Sequence, residues 1–227
     1  VSRCRYDQAL DPPGRAAAAH AADPRPDEAG LLDVLSERAW CEHHLGEYPS
    51  AEALCRDVLT RRRALFGAVH PSVAWSQFRL ADVLRHAGAP EEAEETARAA
   101  LTTWDALAAR GDGDDYGRAA ARNLLASALE DRGAYDEAGE LRRASLDAMV
   151  AAHGEDHPDV AASLVNLGNL LKLRGDRRGA GESYRRALGI LRDRVGPKSP
   201  DTALALNNLG ALYVGDRRLE EAEALLR

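Results

Sequence analysis

The sequence predicts an all-α fold, an array of helix–turn–helix pairs repeated about five times. Three observations predict it. Ala and Leu carry most of the apolar share, β-branched residues are sparse, and no stretch alternates with the period of a strand. Gly recurs at 46, 88, 133 and 175, spaced by 42, 45 and 42 residues. Each of these glycines is followed five residues later by an alanine: Ala51, Ala93, Ala138 and Ala180.

The register extends to other slots. Seven residues before each Gly slot lies a small residue: Ala39, Ala81, Ala126, Gly168 and Gly210. Thirteen residues after it comes Leu59, Leu101, Leu146 or Leu188. A further copy places Arg217 in the Gly slot and Ala222 in the Ala slot. Small residues at fixed offsets with Leu beside them describe two helices packed closely face to face. Gly ends the first in a left-handed cap, and the Ala opens the contact surface of the second.

The units read in order as about 28–69, 70–111, 112–156, 157–198 and 199–227, the last incomplete. Pro71, Pro158 and Pro200 stand where a first helix begins, since proline lacks only an N–H that the first turn leaves unused. The third unit has Tyr116 in that slot and carries its three-residue excess in the polar, Gly-rich RGDGDDYG loop. Residues 1–27 form a leader or linker. Within it, residues 4–10 align Tyr6 with Tyr48 and Ala9 with Ala51, which reads either as the remnant of an earlier second helix or as a chance match. The array stops inside its fifth second helix without a polar capping helix. An unfinished solenoid end exposes an apolar face, so the reading is a piece of a longer protein or an end that docks, self-association included.

The small–Gly–Ala–Leu pattern resembles the tetratricopeptide repeat. The 42-residue period, the HPD start of unit four and its NLG and YRRAL segments resemble the longer-helix version found in kinesin light chains and many bacterial proteins. The resemblance covers residues 28–227. Unit one departs from it, with Arg38 and Glu42 where Leu and a large apolar residue are usual. It implies a right-handed superhelical α-solenoid with first helices lining the concave side. A HEAT or armadillo solenoid has a similar period, but the Gly and Ala slots at both helix contacts favour the tetratricopeptide architecture.

Composition excludes several functions. The net charge of −7, with arginines scattered among acidic residues, argues against a nucleic-acid binder. The one dense cluster, Arg61-Arg62-Arg63, reads as a solvated helix face. The first thirty residues lack a signal-peptide core and no apolar run could span a bilayer, so a cytoplasmic, non-membrane protein is expected. Cys4, Cys41 and Cys55 imply no disulfide framework, and Cys55 falls at an inward slot as a small buried hydrophobe.

No catalytic residue, cofactor or metal site is expected. No nucleophile elbow or phosphate-binding loop occurs. His153 and His157 have a spacing that permits a metal, but they flank a loop, where a capping role is the simpler reading, shared by His70 before Pro71. The adjacent His43 and His44 point to different helix faces and make a poor chelate.

What remains is a polar stripe along the first helices. Residues nine, six and three before each Gly slot share one face. From this stripe and its border, Arg79, Arg85, Asn123, Asn166, Asn169, Lys172 and Asn208 are the candidate peptide-binding residues. An Asn amide matches a peptide backbone with one donor and one acceptor, and Arg or Lys can hold a carboxylate. The competing reading of each is a solvated face, or an Asn that bonds the next helix. The function that follows is a protein-interaction module for a peptide or partner domain. The alternative is a regulatory or sensor segment of a larger signalling ATPase or protease.

Overall fold

The computed structural model describes residues 26–226, and among them every regular element is a helix. In order these are α1 (Pro26–His44), α2 (Tyr48–Phe66), α3 (Pro71–His86), α4 (Pro90–Ala109), α5 (Asp115–Asp131), α6 (Tyr135–His153), α7 (Pro158–Leu173), α8 (Arg177–Arg194), α9 (Pro200–Gly215) and α10 (Leu219–Leu226). The leader resemblance at 4–10 and Cys4 lie outside the described residues.

Local chemistry sets both ends of the helices. His70 Nδ1 accepts from Ser72 N–H at 3.2 Å ahead of α3, and His157 Nδ1 accepts from Asp159 N–H at 3.2 Å ahead of α7. Ser199 Oγ takes the same place before α9. Each accepts an N–H that the first turn leaves orphaned, and Pro follows in each case. The short turns inside each pair close identically. Gly46, Gly88, Gly133 and Gly175 have φ of 81, 81, 76 and 82°. The next residue donates back to a carbonyl five earlier, as in Glu47 N–H to Glu42 O at 2.9 Å and Asp176 N–H to Leu171 O at 2.8 Å. Arg217 stands in the same slot with φ 58° and supports the same bond, Arg218 N–H to Tyr213 O at 2.9 Å.

The chain divides into two compact units, Val1–Ala121 and Arg122–Arg227, with the division falling inside α5. In the first unit α1 packs on α2, α2 on α3 and α3 on α4. Ala39, Ala51, Ala81 and Ala93 are fully buried where the helices approach. Trp104 on α4 is 1% exposed among Ala74, Ala100, Leu107 and Ala121. Trp75 meets it edge-on, ring centroids 5.7 Å apart at 79°.

Arg62 corrects the reading of the arginine cluster. It is buried, not solvated, and its guanidinium donates to Asp33 at 2.5 Å and Ser76 Oγ at 3.0 Å. The long side chain lies along apolar surface and carries its charge to partners on α1 and α3. The charges that break the repeat pattern in unit one are matched locally: Arg38 Nε donates to Glu42 at 2.7 Å. The Ser50 hydroxyl and the Arg38 guanidinium beside it hold the Glu42 carboxyl below the usual range.

In the second unit α6 packs on α7, α7 on α8, α8 on α9 and α9 on α10. Tyr184 on α8 is completely buried in a cluster with Ala161, Leu164, Leu188, Leu209 and Leu212. A side chain of this size contributes about 1.5–3 kcal/mol on burial. It fits because position 168 on α7 is glycine: a Cβ there would lie 2.6 Å from Tyr184 Cε1. Arg142 on α6, also buried, donates to Glu130 at 2.9 Å, Ser127 Oγ at 2.9 Å and Asn123 Oδ1 at 3.3 Å, tying α6 to α5.

Candidate binding surface

The first helices of the pairs are α1, α3, α5, α7 and α9, and all seven candidate residues stand on the last four of them. In the first unit, Arg79 and Arg85 lie one turn and a half apart on α3. Arg79 Nη1 donates to the Ser36 carbonyl at 3.0 Å and Nη2 to Glu37 at 2.9 Å, and the guanidinium sits 5.4 Å from the Trp40 ring centroid. Arg79 therefore ties α3 to α1 and has its charge matched in place. Arg85 stands 3.5 Å from Asp82, one turn before it.

In the second unit the candidates divide by partner. Asn123 accepts from Arg142, and Asn169 Oδ1 accepts from the Tyr184 hydroxyl at 2.7 Å. Both anchor a first helix to its own second helix. Burial pushes the Tyr184 hydroxyl up to about 12, so it is a donor at any working pH. Asn166, Lys172 and Asn208 are half-buried, and their side chains make no hydrogen bond or ion pair among the described residues.

One constellation escaped the sequence reading. His43 on α1 faces Asp82 and His86 on α3. His43 Nε2 is 3.5 Å from Asp82 Oδ2, His86 Nδ1 is 3.6 Å from Asp82 Oδ1, and the two imidazole centroids are 4.8 Å apart. Burial pushes the His43 pKa down from its ordinary value. Asp82 opposes this, while His86, His44 and Arg85 reinforce it. His44, by contrast, bonds back to the Trp40 carbonyl at 2.8 Å. The sequence signals were the four-residue spacing of Asp82 and His86 and the nearly equivalent places of His43 and His86 one period apart.

The comparisons with known proteins accord with this architecture. The family model described as Tetratricopeptide repeat matches residues 30–106 and 117–193, and a second of the same description matches 202–227. The chain belongs to the tetratricopeptide repeat family. Among solved structures, a putative kinesin light chain from Podosopora anserina with nearly identical TPR-like repeats is 23% identical, covering 86% of this chain and 92% of that one with a TM-score of 0.71. BtubC (BKLC) from P. vanneervenii is 24% identical, covering 98% of this chain and 89% of that one with a TM-score of 0.73. A Rap protein complexed with competence and sporulation factor is 18% identical, covering 84% of this chain and 50% of that one with a TM-score of 0.66. A search of the curated proteins finds no match.

The fold is thus an all-α solenoid of tetratricopeptide pairs, of the kind seen in kinesin-light-chain-like proteins, including a bacterial one. Tetratricopeptide repeats serve in general as protein–protein interaction modules. No described helix is long and apolar enough to cross a membrane.

Proposed function

We propose that this chain is a non-catalytic interaction module that binds a peptide or partner domain through the concave surface of its first helices. One observation carries the reading. Asn166, Lys172 and Asn208 are held half-buried on the neighbouring helices α7 and α9 with no partner for their side chains among the described residues. Polar groups withdrawn from water usually find a hydrogen bond, and groups that lack one within the fold suit a ligand. Two amides with donor and acceptor fit an extended backbone, and the ammonium fits a carboxylate. Asn169, whose oxygen is taken by Tyr184, keeps its amide N–H donors for the same ligand. Arg79, Arg85 and Asn123 form the corresponding polar faces of α3 and α5, with their protein partners as rivals for any ligand.

The test is selection of displayed peptides on the intact chain, followed by fluorescence anisotropy on the winners. Asn166→Ala/Asn208→Ala removes two hydrogen-bonding groups worth about 1 kcal/mol each, so affinity is expected to fall by at least about tenfold. Arg178→Ala on α8, whose side chain is 90% exposed, leaves binding unchanged. Peptides that bind the double variant as tightly as the wild type rule out this surface.

A further inference from the structure

We propose that His43, Asp82 and His86 form a binding site for a divalent first-row transition ion, of which zinc is the natural probe. The inference does not depend on the peptide-binding reading. It starts from the donor set: two imidazoles and one carboxylate, each offering a ligand atom, with all three atoms within 4.8 Å of one another. Two histidines with a carboxylate suit zinc and its neighbours rather than calcium or magnesium, which take oxygen donors.

The spacing fits such an ion. Zinc holds nitrogen and oxygen ligands at about 2.0–2.1 Å in a tetrahedron, so neighbouring ligand atoms sit about 3.3 Å apart. The separation of 3.5 Å from His43 Nε2 to Asp82 Oδ2 lies close to that edge. The remaining gap closes by rotation of His86, whose side chain is 41% exposed.

The ring that would carry the ion is held in place: His43 is 8% exposed, with Nε2 turned to Asp82 and Nδ1 on its other edge. The site also has an orienting bond of the kind metal sites use. His86 Nδ1 donates to the Asp82 carbonyl at 2.8 Å, which fixes the proton there and leaves Nε2 with its lone pair. Tyr48 closes one side, its ring 5.7 Å from His43 and 6.2 Å from His86. The opposing feature is Arg85, which stands 3.5 Å from Asp82 Oδ1 and must yield when the ion enters. Three protein ligands leave a fourth position open to water or to a donor from a partner. Binding would pin α1 to α3 across the repeat boundary.

The experiment is isothermal titration of the full chain with zinc chloride, in a Cys4→Ser/Cys41→Ser background that leaves the buried Cys55 as the one thiol. Expected are one zinc per chain, at least about tenfold weaker binding in His86→Gln and in Asp82→Asn, and unchanged binding in His153→Gln/His157→Gln. Circular dichroism verifies that each variant is folded, and both ligand variants change groups outside the apolar core. Cobalt in place of zinc gives visible absorption bands of a four-coordinate nitrogen–oxygen site, lost in His86→Gln. Absence of zinc binding overturns the proposal. So does binding that survives both His86→Gln and Asp82→Asn, or binding that disappears with His153→Gln/His157→Gln.

Discussion

Replacing Gly168 by alanine sets two effects of opposite sign against each other. Glycine inside a helix costs about 1 kcal/mol relative to alanine, so propensity alone makes the substitution stabilising. Packing reverses this. The new Cβ would stand 2.6 Å from Tyr184 Cε1 and 2.8 Å from Cδ1, where carbon atoms prefer about 3.5–4.0 Å. The ring must retreat by about 1 Å. It has no room, being fully buried, and its hydroxyl is tied to Asn169 at 2.7 Å. Overpacking costs about 1–3 kcal/mol, and a hydrogen bond of about 1 kcal/mol is put at risk. The net expectation is a destabilisation of about 1–3 kcal/mol. Gly189 on α8 supplies the control, because nothing lies within 4 Å of its added Cβ. Alanine there stabilises by about 0.5–1 kcal/mol. Urea unfolding of the intact chain, followed by far-UV circular dichroism, reads both. A Tyr184→Leu background should shrink the cost of Gly168→Ala, since the clash is with the ring. The reasoning fails if Gly168→Ala and Gly189→Ala move the midpoint in the same direction.

Other substitutions test other links. Arg217→Gly removes a side chain from a left-handed backbone at φ 58° and should stabilise the α9–α10 turn by about 1 kcal/mol; an unchanged or lower unfolding midpoint counts against the cap equivalence. Arg142→Ala leaves Glu130 without its buried partner and should cost about 3 kcal/mol in the same urea assay, whereas a loss under about 1 kcal/mol would make the α5–α6 tie a surface contact. Burial pushes the Cys55 thiol up to about 11, which leaves about one thiolate in a thousand at pH 8. In a Cys4→Ser background, a disulfide reagent should therefore label exposed Cys41 promptly and Cys55 only after denaturation. Equal rates at the two cysteines would show that Cys55 is open to solvent.

The architecture was legible because its slots answer to local demands. Gly46, Gly88, Gly133 and Gly175 occur where the backbone turns left-handed, and Ala39, Ala81 and Ala126 where helices nearly touch. His70 and His157 as caps followed from the proline behind them. The long polar side chains were harder to read. Arg61, Arg62 and Arg63 are chemically identical neighbours, and only the helical rotation decides that Arg62 points inward to Asp33 and Ser76. Asn123, Asn169 and Arg79 look alike as polar stripe residues. Their partners Arg142, Tyr184 and Glu37 come from other helices, which no spacing along a single helix reveals. The His43–Asp82–His86 cluster was missed because its third member, His43, comes from a different pair, which the four-residue spacing of Asp82 and His86 on α3 does not reveal.

The burial of Trp104 against Trp75 has a practical consequence for spectroscopy. All three tryptophans of the chain, Trp40, Trp75 and Trp104, belong to the first compact unit, whereas the second has only tyrosines among its larger aromatic rings. Excited at the red edge of the indole band, the native protein therefore emits from one half alone. Trp104, 1% exposed and edge-on to Trp75, contributes a component shifted to short wavelength that moves to the red when α3 and α4 separate. Backbone dichroism, in contrast, sums over all the helices. The wild-type chain thus carries a built-in optical label that distinguishes loss of its first half from loss of the whole, without an engineered probe.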